Sequence, residues 1–182
     1  MAAVNFTDAA KIVRVYEGGY SDHPLDPGGA TNLGITMAEL GKWRGGAVSK
    51  ADVKALTWDE AAAIYRRKYW DAMRCDDLPA GIDLAVYDCA VNQGVGRAAR
   101  YLQQASGAKV DGIMGPVTVA AVSMVDPGTL LAEFMAQRML GYGLLQKLFK
   151  TFGLGWSRRL MGIHSLSRAM LIRAPSVASR AA

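Results

Sequence analysis

The stretch Glu17-Gly-Gly-Tyr-Ser-Asp-His-Pro-Leu-Asp26-Pro-Gly-Gly-Ala-Thr31-Asn-Leu-Gly-Ile-Thr36 decides how this chain is read, because it follows an amphipathic helix with a glycine-rich turn that carries acids. Just upstream, Phe6, Ala9, Ala10, Val13 and Tyr16 recur at helical spacing, and at about 100° per residue Glu17 falls on their side of the wheel. A carboxyl on an apolar stripe either finds partners in a cleft or is driven by desolvation toward its protonated form. Both outcomes suit a general acid. Gly18 and Gly19 are expected to stop the helix through a left-handed cap and turn the carboxyl toward the following loop. Pro24 and Asp26-Pro27-Gly28-Gly29 give that loop strong turn chemistry, and a small hairpin between Tyr20 and Ile35 is expected to bring Asp26 back toward Glu17.

Beyond this stretch the signals are helical. Thr36 with Glu39 reads as a capping box opening a helix from Met37 to Trp43, Ser49 as the cap of a short helix over 51–56, and Thr57 with Glu60 as the start of one running through Tyr69. Pro79 is expected to begin a strongly apolar segment carrying Ile82, Val86, Cys89 and Ala90 and ended by Gly94, the candidate central helix. Further helices are expected over 97–105, 116–124 and 127–139, the last capped by Asp126, and an amphipathic stretch from Trp156 to Arg173. The expected fold class is therefore mainly α, a two-lobed helical domain with at most a small β-hairpin.

The 182 residues, 51% hydrophobic and 20% charged, are enough for one domain with a substantial core and argue against disorder. A net charge of +5 and a pI near 9.3 favour an acidic partner, whether nucleic acid, an anionic membrane face or a polyanionic wall. No helix groups its basic residues as a nucleic-acid reader would, so nucleic acid is set aside. The first residues lack the basic start and apolar core of a secretory signal, and no uncharged run reaches the ~20 residues of a membrane span. Cys75 and Cys89 are too few for a disulfide scaffold and read as two buried thiols, with a late bridge as the other option. His23 and His164 have no second ligand at metal spacing, so neither a metal nor another cofactor is expected.

The run from Glu17-Gly-Gly-Tyr20 through Asp26-Pro-Gly-Gly-Ala-Thr31-Asn-Leu-Gly-Ile-Thr36 resembles the signature of glycoside hydrolase family 108, whose members cleave peptidoglycan as N-acetylmuramidases and include many phage endolysins. Tyr87-Asp-Cys-Ala-Val-Asn92-Gln-Gly-Val-Gly96 and Val110-Asp-Gly-Ile-Met-Gly-Pro-Val-Thr118 resemble the C-terminal peptidoglycan domain of those proteins, and Thr151-Phe-Gly-Leu-Gly-Trp156-Ser-Arg-Arg159 resembles their ending. The resemblance implies a lysozyme-like fold, with a catalytic lobe over 1–75, a peptidoglycan-domain lobe over 76–160 packed into the same globule, and a basic amphipathic tail over 161–182. It implies Glu17 as the catalytic acid. Phage-type lysozymes, which follow a helix-end glutamate with an aspartate and a threonine on a small hairpin, extend it to Asp26 and Thr31.

That assignment matches what the bond demands. A glycosidic oxygen leaves poorly unless protonated, and an oxocarbenium-like transition state needs negative charge or an activated water on the far side of the sugar. Glu17 beside an apolar face suits the donor, Asp26 in a polar turn suits the ionised partner, and Thr31 suits a water holder. Asp22 is a third carboxylate in the same loop. Asn92 and Gln93, at the end of the apolar helix, are candidates to bind sugar amides and hydroxyls, with Tyr87 on the same helix and Tyr20 as a stacking platform. The Val110 to Thr118 turn reads as structural first, through Gly112, Gly115 and Pro116.

No acidic residue follows Glu133, while basic residues accumulate among Leu, Met, Phe and Ile, so the C-terminal end is expected to contact an anionic membrane or lipopolysaccharide. The expected protein is a monomeric, cofactor-free peptidoglycan hydrolase, held in the host cytoplasm until release, acting at the wall or periplasm, with virion association as another delivery route. Two other readings stand beside it: a lytic transglycosylase, and a noncatalytic wall-binding or secretion-assisting protein.

Overall fold

The computed structural model describes residues 2–22 and 29–173. Among them, nine α-helices and one two-stranded antiparallel sheet form the mainly α, lysozyme-like architecture that the sequence predicts. The chain divides into two compact units, Thr7–Lys68 and a larger one made of Met1–Phe6 with Tyr69–Ala182.

The smaller unit takes the main part of α1 (Ala2–Arg14), then β1 (Thr31–Asn32), β2 (Ile35–Thr36), α2 (Met37–Arg44), α3 (Lys50–Lys54) and α4 (Trp58–Tyr65). Its helix starts follow from caps legible in the sequence. The hydroxyls of Thr36, Ser49 and Thr57 accept from the backbone amides of Glu39, Asp52 and Glu60, and the first two complete reciprocal capping boxes. Ala9, Ala10 and Val13 of α1, Ile35, Leu40, Val53, Ala61 and Ile64 are among its buried apolar side chains. Arg44 clamps Glu60 through paired bonds of 2.9 and 2.7 Å, and its guanidinium also lies 3.5 Å from Asp52, tying α2, α3 and α4 at the surface. The helix expected to run on to Tyr69 changes character instead. After Tyr65 the backbone is π-helical over Arg66–Asp71.

The larger unit is built on α5 (Ile82–Gln93), in which every residue from Ile82 to Ala90 is buried, so the apolar segment is indeed the central helix. Its start differs from expectation. Gly81, at φ 93°, precedes the first helical residue, and Pro79 lies outside the helix. Around α5 pack α6 (Val95–Ser106), α8 (Pro127–Gly143) and α9 (Gln146–Arg173), with α7 (Pro116–Ser123) against α6. The Val110 to Thr118 turn closes around buried Gln103. That amide donates to Asp111 Oδ1, the Ile113 carbonyl and Thr118 Oγ1, and it accepts from the Asp111 and Gly112 amides. The structural reading of this turn therefore holds, through a glutamine that its own glycine and proline signals do not reveal.

Two acids on α5 need partners, because an unpaired buried charge is costly. Asp83 accepts from Asn5 Nδ2 at 2.9 Å and from the Gly81 and Leu84 amides. Burial raises the Asp83 pKa, and these three donors oppose the rise. Asp88, fully buried, pairs with Arg138 at 2.6 Å and with Arg159 at 2.8 Å. Burial is the largest single influence and would lower the Arg138 pKa, but the charges of Asp88, Cys89 and Tyr142 and the hydrogen bond to Asp88 together outweigh it, and the net shift is upward. Cys75 and Cys89 are free and buried, and burial pushes the Cys89 thiol up to about 12, so the reading of two buried thiols stands.

Helix α9 begins at Gln146, ten residues before the amphipathic stretch that the sequence marks. The sequence reading stops at Gly153 and Gly155 because each glycine costs a helix about 1 kcal/mol. Packing outweighs that cost. Trp156 stacks on Tyr142 at 4.8 Å, Phe149 and Phe152 lie against Trp156, and a Cβ on buried Gly153 would come within 3.0 Å of the Phe149 ring. The expected tail does not start at residue 161 either, since α9 continues unbroken and buries Leu160, Ile163 and Ser167. Residues 174–182 lie outside the described residues. Lys147, Lys150, Leu154, Arg158, Met161, Arg168 and Ile172 recur at helical spacing on its exposed side. No described helix is long and apolar enough to cross a membrane.

Candidate active site

Glu17 is not held by the glycine cap that its sequence suggests. The α-helix ends at Arg14, and the amides of Val15, Tyr16 and Glu17 donate to the carbonyls three residues back, at 3.3, 2.9 and 3.1 Å. This tightened final turn carries the chain past Val15 and Tyr16, both exposed, and leaves Glu17 half-buried. Neither Gly18 nor Gly19 is left-handed, and a Cβ on either would meet nothing within 4 Å. The surroundings of Glu17 are thus set by what packs beside it, and that is the hairpin.

The hairpin pairs Thr31 with Thr36 and Asn32 with Ile35, leaving Leu33 and Gly34 as a two-residue turn. Both have positive φ, 50° and 74°, the mirror-image geometry that matches the twist of paired strands. Gly34 is required twice over: for its φ, and because a Cβ there would run into the Tyr65 hydroxyl and stand 3.0 Å from Glu17 Oε2. Buried Tyr65, from the last turn of α4, donates to the Leu33 carbonyl at 3.1 Å. Asn32 donates to the Val53 and Lys54 carbonyls at 3.0 and 3.2 Å, fixing the strand to the end of α3. The hairpin tip is therefore pinned from two helices, and the Glu17 carboxyl rests against it.

Alanine at position 34 is expected to displace that carboxyl. Gly34→Ala should cost about 1–3 kcal/mol of stability from strain and steric conflict, and it should reduce glycan cleavage at least tenfold, since a misplacement of about 1 Å can cost a hundredfold. Thermal melts and turnover on purified sacculi measure the two effects. Normal turnover in this variant would mean that Glu17 does not depend on the tip.

The remaining candidates in this unit separate. Thr31 lies in β1, exchanges two 2.8 Å backbone bonds with Ser21, and turns its hydroxyl toward the Gly29 carbonyl at 3.4 Å. Tyr20 precedes Ser21 and is exposed, with Lys54 Nζ 5.8 Å from its ring centre. Asp22 is engaged in a 3.0 Å ion pair with Lys50. Asp26 and His23 lie outside the described residues. The structure therefore joins Glu17 to the hairpin that carries Thr31.

In the larger unit the expected binding residues turn inward. Tyr87 is fully buried, its ring edge-on to Phe6 and Trp70, so its role as a sugar contact is replaced by a core role. The sequence could not separate the two because a tyrosine on an apolar helix suits either. Asn92 Oδ1 accepts from the Tyr142 hydroxyl, and Gln93 Oε1 accepts from Arg138 Nε at 3.1 Å and from the Cys89 thiol at 3.4 Å. Both oxygens thus belong to the network around Asp88, while the two side chains stay partly exposed. A larger cavity of about 1110 Å³ lies in this unit, lined by residues such as Val122, Leu131 and Leu171. Among the described residues, the one carboxylate in its lining, Asp126, caps α8 by accepting from the Thr129 amide, so these residues offer a glycosidic bond no acid pair. No group of three or more His, Cys, Asp or Glu side chains gathers in metal-binding fashion among the described residues.

Residues 10–94 match the model of glycosyl hydrolase 108. The solved structure of SagA from Brucella abortus is 43% identical, aligns with a TM-score of 0.80, and is matched over 93% of this chain and 97% of its own. The chain belongs to glycosyl hydrolase family 108. No curated protein matches it. Membership of family 108 gives the protein a glycoside-hydrolase domain and a peptidoglycan-related function.

The family 108 match takes in Glu17, the hairpin, the π-helical segment and α5 as far as Gly94. Two of the residues that shape the site within it, Gly34 and Tyr65, carry no signal of their own. Gly34 reads as one more turn glycine and Tyr65 as one more aromatic on an apolar face. Their meeting across 31 residues of sequence is a tertiary fact.

Proposed function

We propose that the protein is a peptidoglycan hydrolase that cleaves the β-1,4 bond between N-acetylmuramic acid and N-acetylglucosamine, with Glu17 as general acid. The observation that carries this reading is the Glu17 carboxyl seated against the backbone of the Leu33-Gly34 turn, half-buried and partly open to a ligand. Glu17 hands its proton to the bridging oxygen as the bond to the muramic sugar breaks. Positive charge then develops on that sugar, and the second group of the pair meets it or activates the water that attacks it. Asp26 is assigned that part, and the Thr31 hydroxyl, on the strand leading to the same turn, is assigned the positioning of the water. Tyr20, exposed beside Ser21, supplies a ring for the sugar chain, and the still partly exposed amides of Asn92 and Gln93 supply donors for acetamido groups.

Product masses test this. Purified peptidoglycan incubated with the protein should yield fragments ending in reducing muramic acid. Fragments ending in 1,6-anhydro-muramic acid would make it a lytic transglycosylase, in which the sugar closes on itself without water. Intact glycan together with tight sacculus binding would make it a noncatalytic wall protein. The same reading gives the exposed stripe of α9, four cations among Leu154, Met161 and Ile172, an anionic envelope surface to lie on. Retention on phosphatidylglycerol vesicles but not on phosphatidylcholine vesicles is expected, and equal behaviour on both would remove that contact.

A further inference from the structure

A second pocket of about 370 Å³ opens in the smaller unit, lined by Glu39, Lys42, Trp43, Ile64, Arg67 and Lys68. It sets three cations against a single carboxylate. Glu39 is already matched by Lys68, with which it forms an ion pair, whereas Lys42 and Arg67 make no ion pair among the described residues. Burial lowers the Lys68 pKa, as expected of a cation on the wall of a concavity. Beside these charges Trp43 leaves 37% of its surface open. Arg67 and Lys68 sit on the π-helical segment, an uncommon backbone form that concentrates where function requires it.

This pocket is continuous with the elements that hold Glu17. Glu39 stands in the first turn of α2, capped by Thr36, two residues beyond Gly34. Lys68 is one turn beyond Tyr65, whose hydroxyl secures the Leu33 carbonyl. A wall fragment bound at Glu17 therefore has cations and an indole on α2 and on the π-helical segment that follows α4.

The chemistry of that fragment decides what the cations are for. The glycan backbone of peptidoglycan is made of neutral acetamido sugars, since the lactyl carboxyl of muramic acid is bound up in the amide to the stem. Negative charge along the polymer comes from the carboxylates of its stem peptides. We propose that the Lys42, Trp43 and Arg67 pocket is a subsite for the peptide stem of the substrate, with Lys42 and Arg67 binding stem carboxylates and the Trp43 ring lying on the methyl and methylene groups between them. Arg67 offers a carboxylate a two-pronged donor and Lys42 a point charge, while Glu39 and Lys68 pair with each other in the same lining. The proposal rests on the hydrolase reading and names part of its specificity.

The test compares two substrates, peptidoglycan with its stems and glycan strands freed of them by an amidase, with the lactyl carboxyls that the amidase exposes capped as methylamides so that the strands stay neutral. With the double variant Lys42→Gln, Arg67→Gln, KM on stem-bearing material should rise about tenfold or more, the effect of losing one or two charge-assisted contacts. Its kcat should stay near the native value, because the reacting atoms lie elsewhere. On stem-free strands the native and variant proteins should share one KM. An unchanged KM on stem-bearing material overturns the subsite, and so does an equal loss on both substrates, which would place the pocket's contacts on the sugars.

Binding is read separately in the Glu17→Gln background, by retention on intact sacculi and on the same capped, stem-free strands immobilised on beads. A protein that cleaves nothing fails the hydrolase reading, yet a stem-dependent retention removed by the double substitution would still support the pocket. Retention indifferent to stems would overturn it. Trp43→Leu, which keeps the charges, should weaken retention on intact sacculi less than the double substitution does and leave retention on stem-free strands unchanged; a loss on stem-free strands would assign the pocket to the sugars instead.

Discussion

Replacing Glu17 with glutamine is expected to lower glycan cleavage by about a thousandfold, the scale of a lost general acid, while leaving the melting temperature within about 1 °C of the native protein. The amide is nearly the size of the carboxyl, so the seat against Gly34 is kept, and so is the 3.1 Å bond from Tyr65 to the Leu33 carbonyl that secures the hairpin tip. What is lost is the proton that the leaving oxygen needs. Release of soluble muropeptides from sacculi measures the rate, and a pull-down on the same sacculi measures binding. Full activity in this variant would remove Glu17 from the chemistry. Loss of activity together with loss of binding would show instead that residue 17 holds the substrate.

The second large effect lies in the core of the other unit. Asp88→Asn should destabilise the protein by about 3–5 kcal/mol, because Arg138 and Arg159 would remain buried with no anion between them. For a chain of this size that corresponds to a fall in Tm of roughly 10 °C, readable by circular dichroism. Arg138 is fully buried and Arg159 nearly so, so water cannot take over the lost charge. The damage should spread along the network. Arg138 also donates to Gln93 Oε1, and the Tyr142 hydroxyl, within 3.4 Å of Arg138, donates to Asn92 Oδ1. Removing all three charges together, with Asp88→Leu, Arg138→Met and Arg159→Met, should cost less than Asp88→Asn alone, as expected where a buried ion group stabilises chiefly by being complete. A single Asp88→Asn variant melting within 2 °C of the native protein would show that the two arginines find other partners.

The stretch from Thr151 to Arg159 takes its sense from that core. Trp156 is the partner of Tyr142, Arg159 is the partner of Asp88, and Gly153 makes room for Phe149. Asp88 and Arg159 stand 71 residues apart, and neither predicts the other from sequence. The Lys42, Trp43, Arg67 and Lys68 pocket was equally hidden. Read along the chain, Arg66-Arg67-Lys68 is a basic run beside Trp70, yet Trp70 is fully buried and donates to Asp76, while the indole that meets the cations is Trp43 from another helix.

By itself the sequence determined what depends on neighbours a few residues away. Helix starts were legible in Thr36-Glu39, Ser49-Asp52 and Asp126-Thr129, because a cap is a bond over three residues. The central helix was legible in an apolar run too continuous to face water. The family was legible in the long ordered run from Glu17 to Thr36, which local chemistry and the match over 10–94 describe alike. The tertiary structure decided where helices stop and which way polar groups turn, since both depend on what packs against them from far along the chain. Gln146 rather than Trp156 opens α9 because aromatic rings cover its glycines, Tyr87 points into the core because Phe6 and Trp70 receive it, and Glu17 meets a glycine turn that Tyr65 and Asn32 fasten to two other helices.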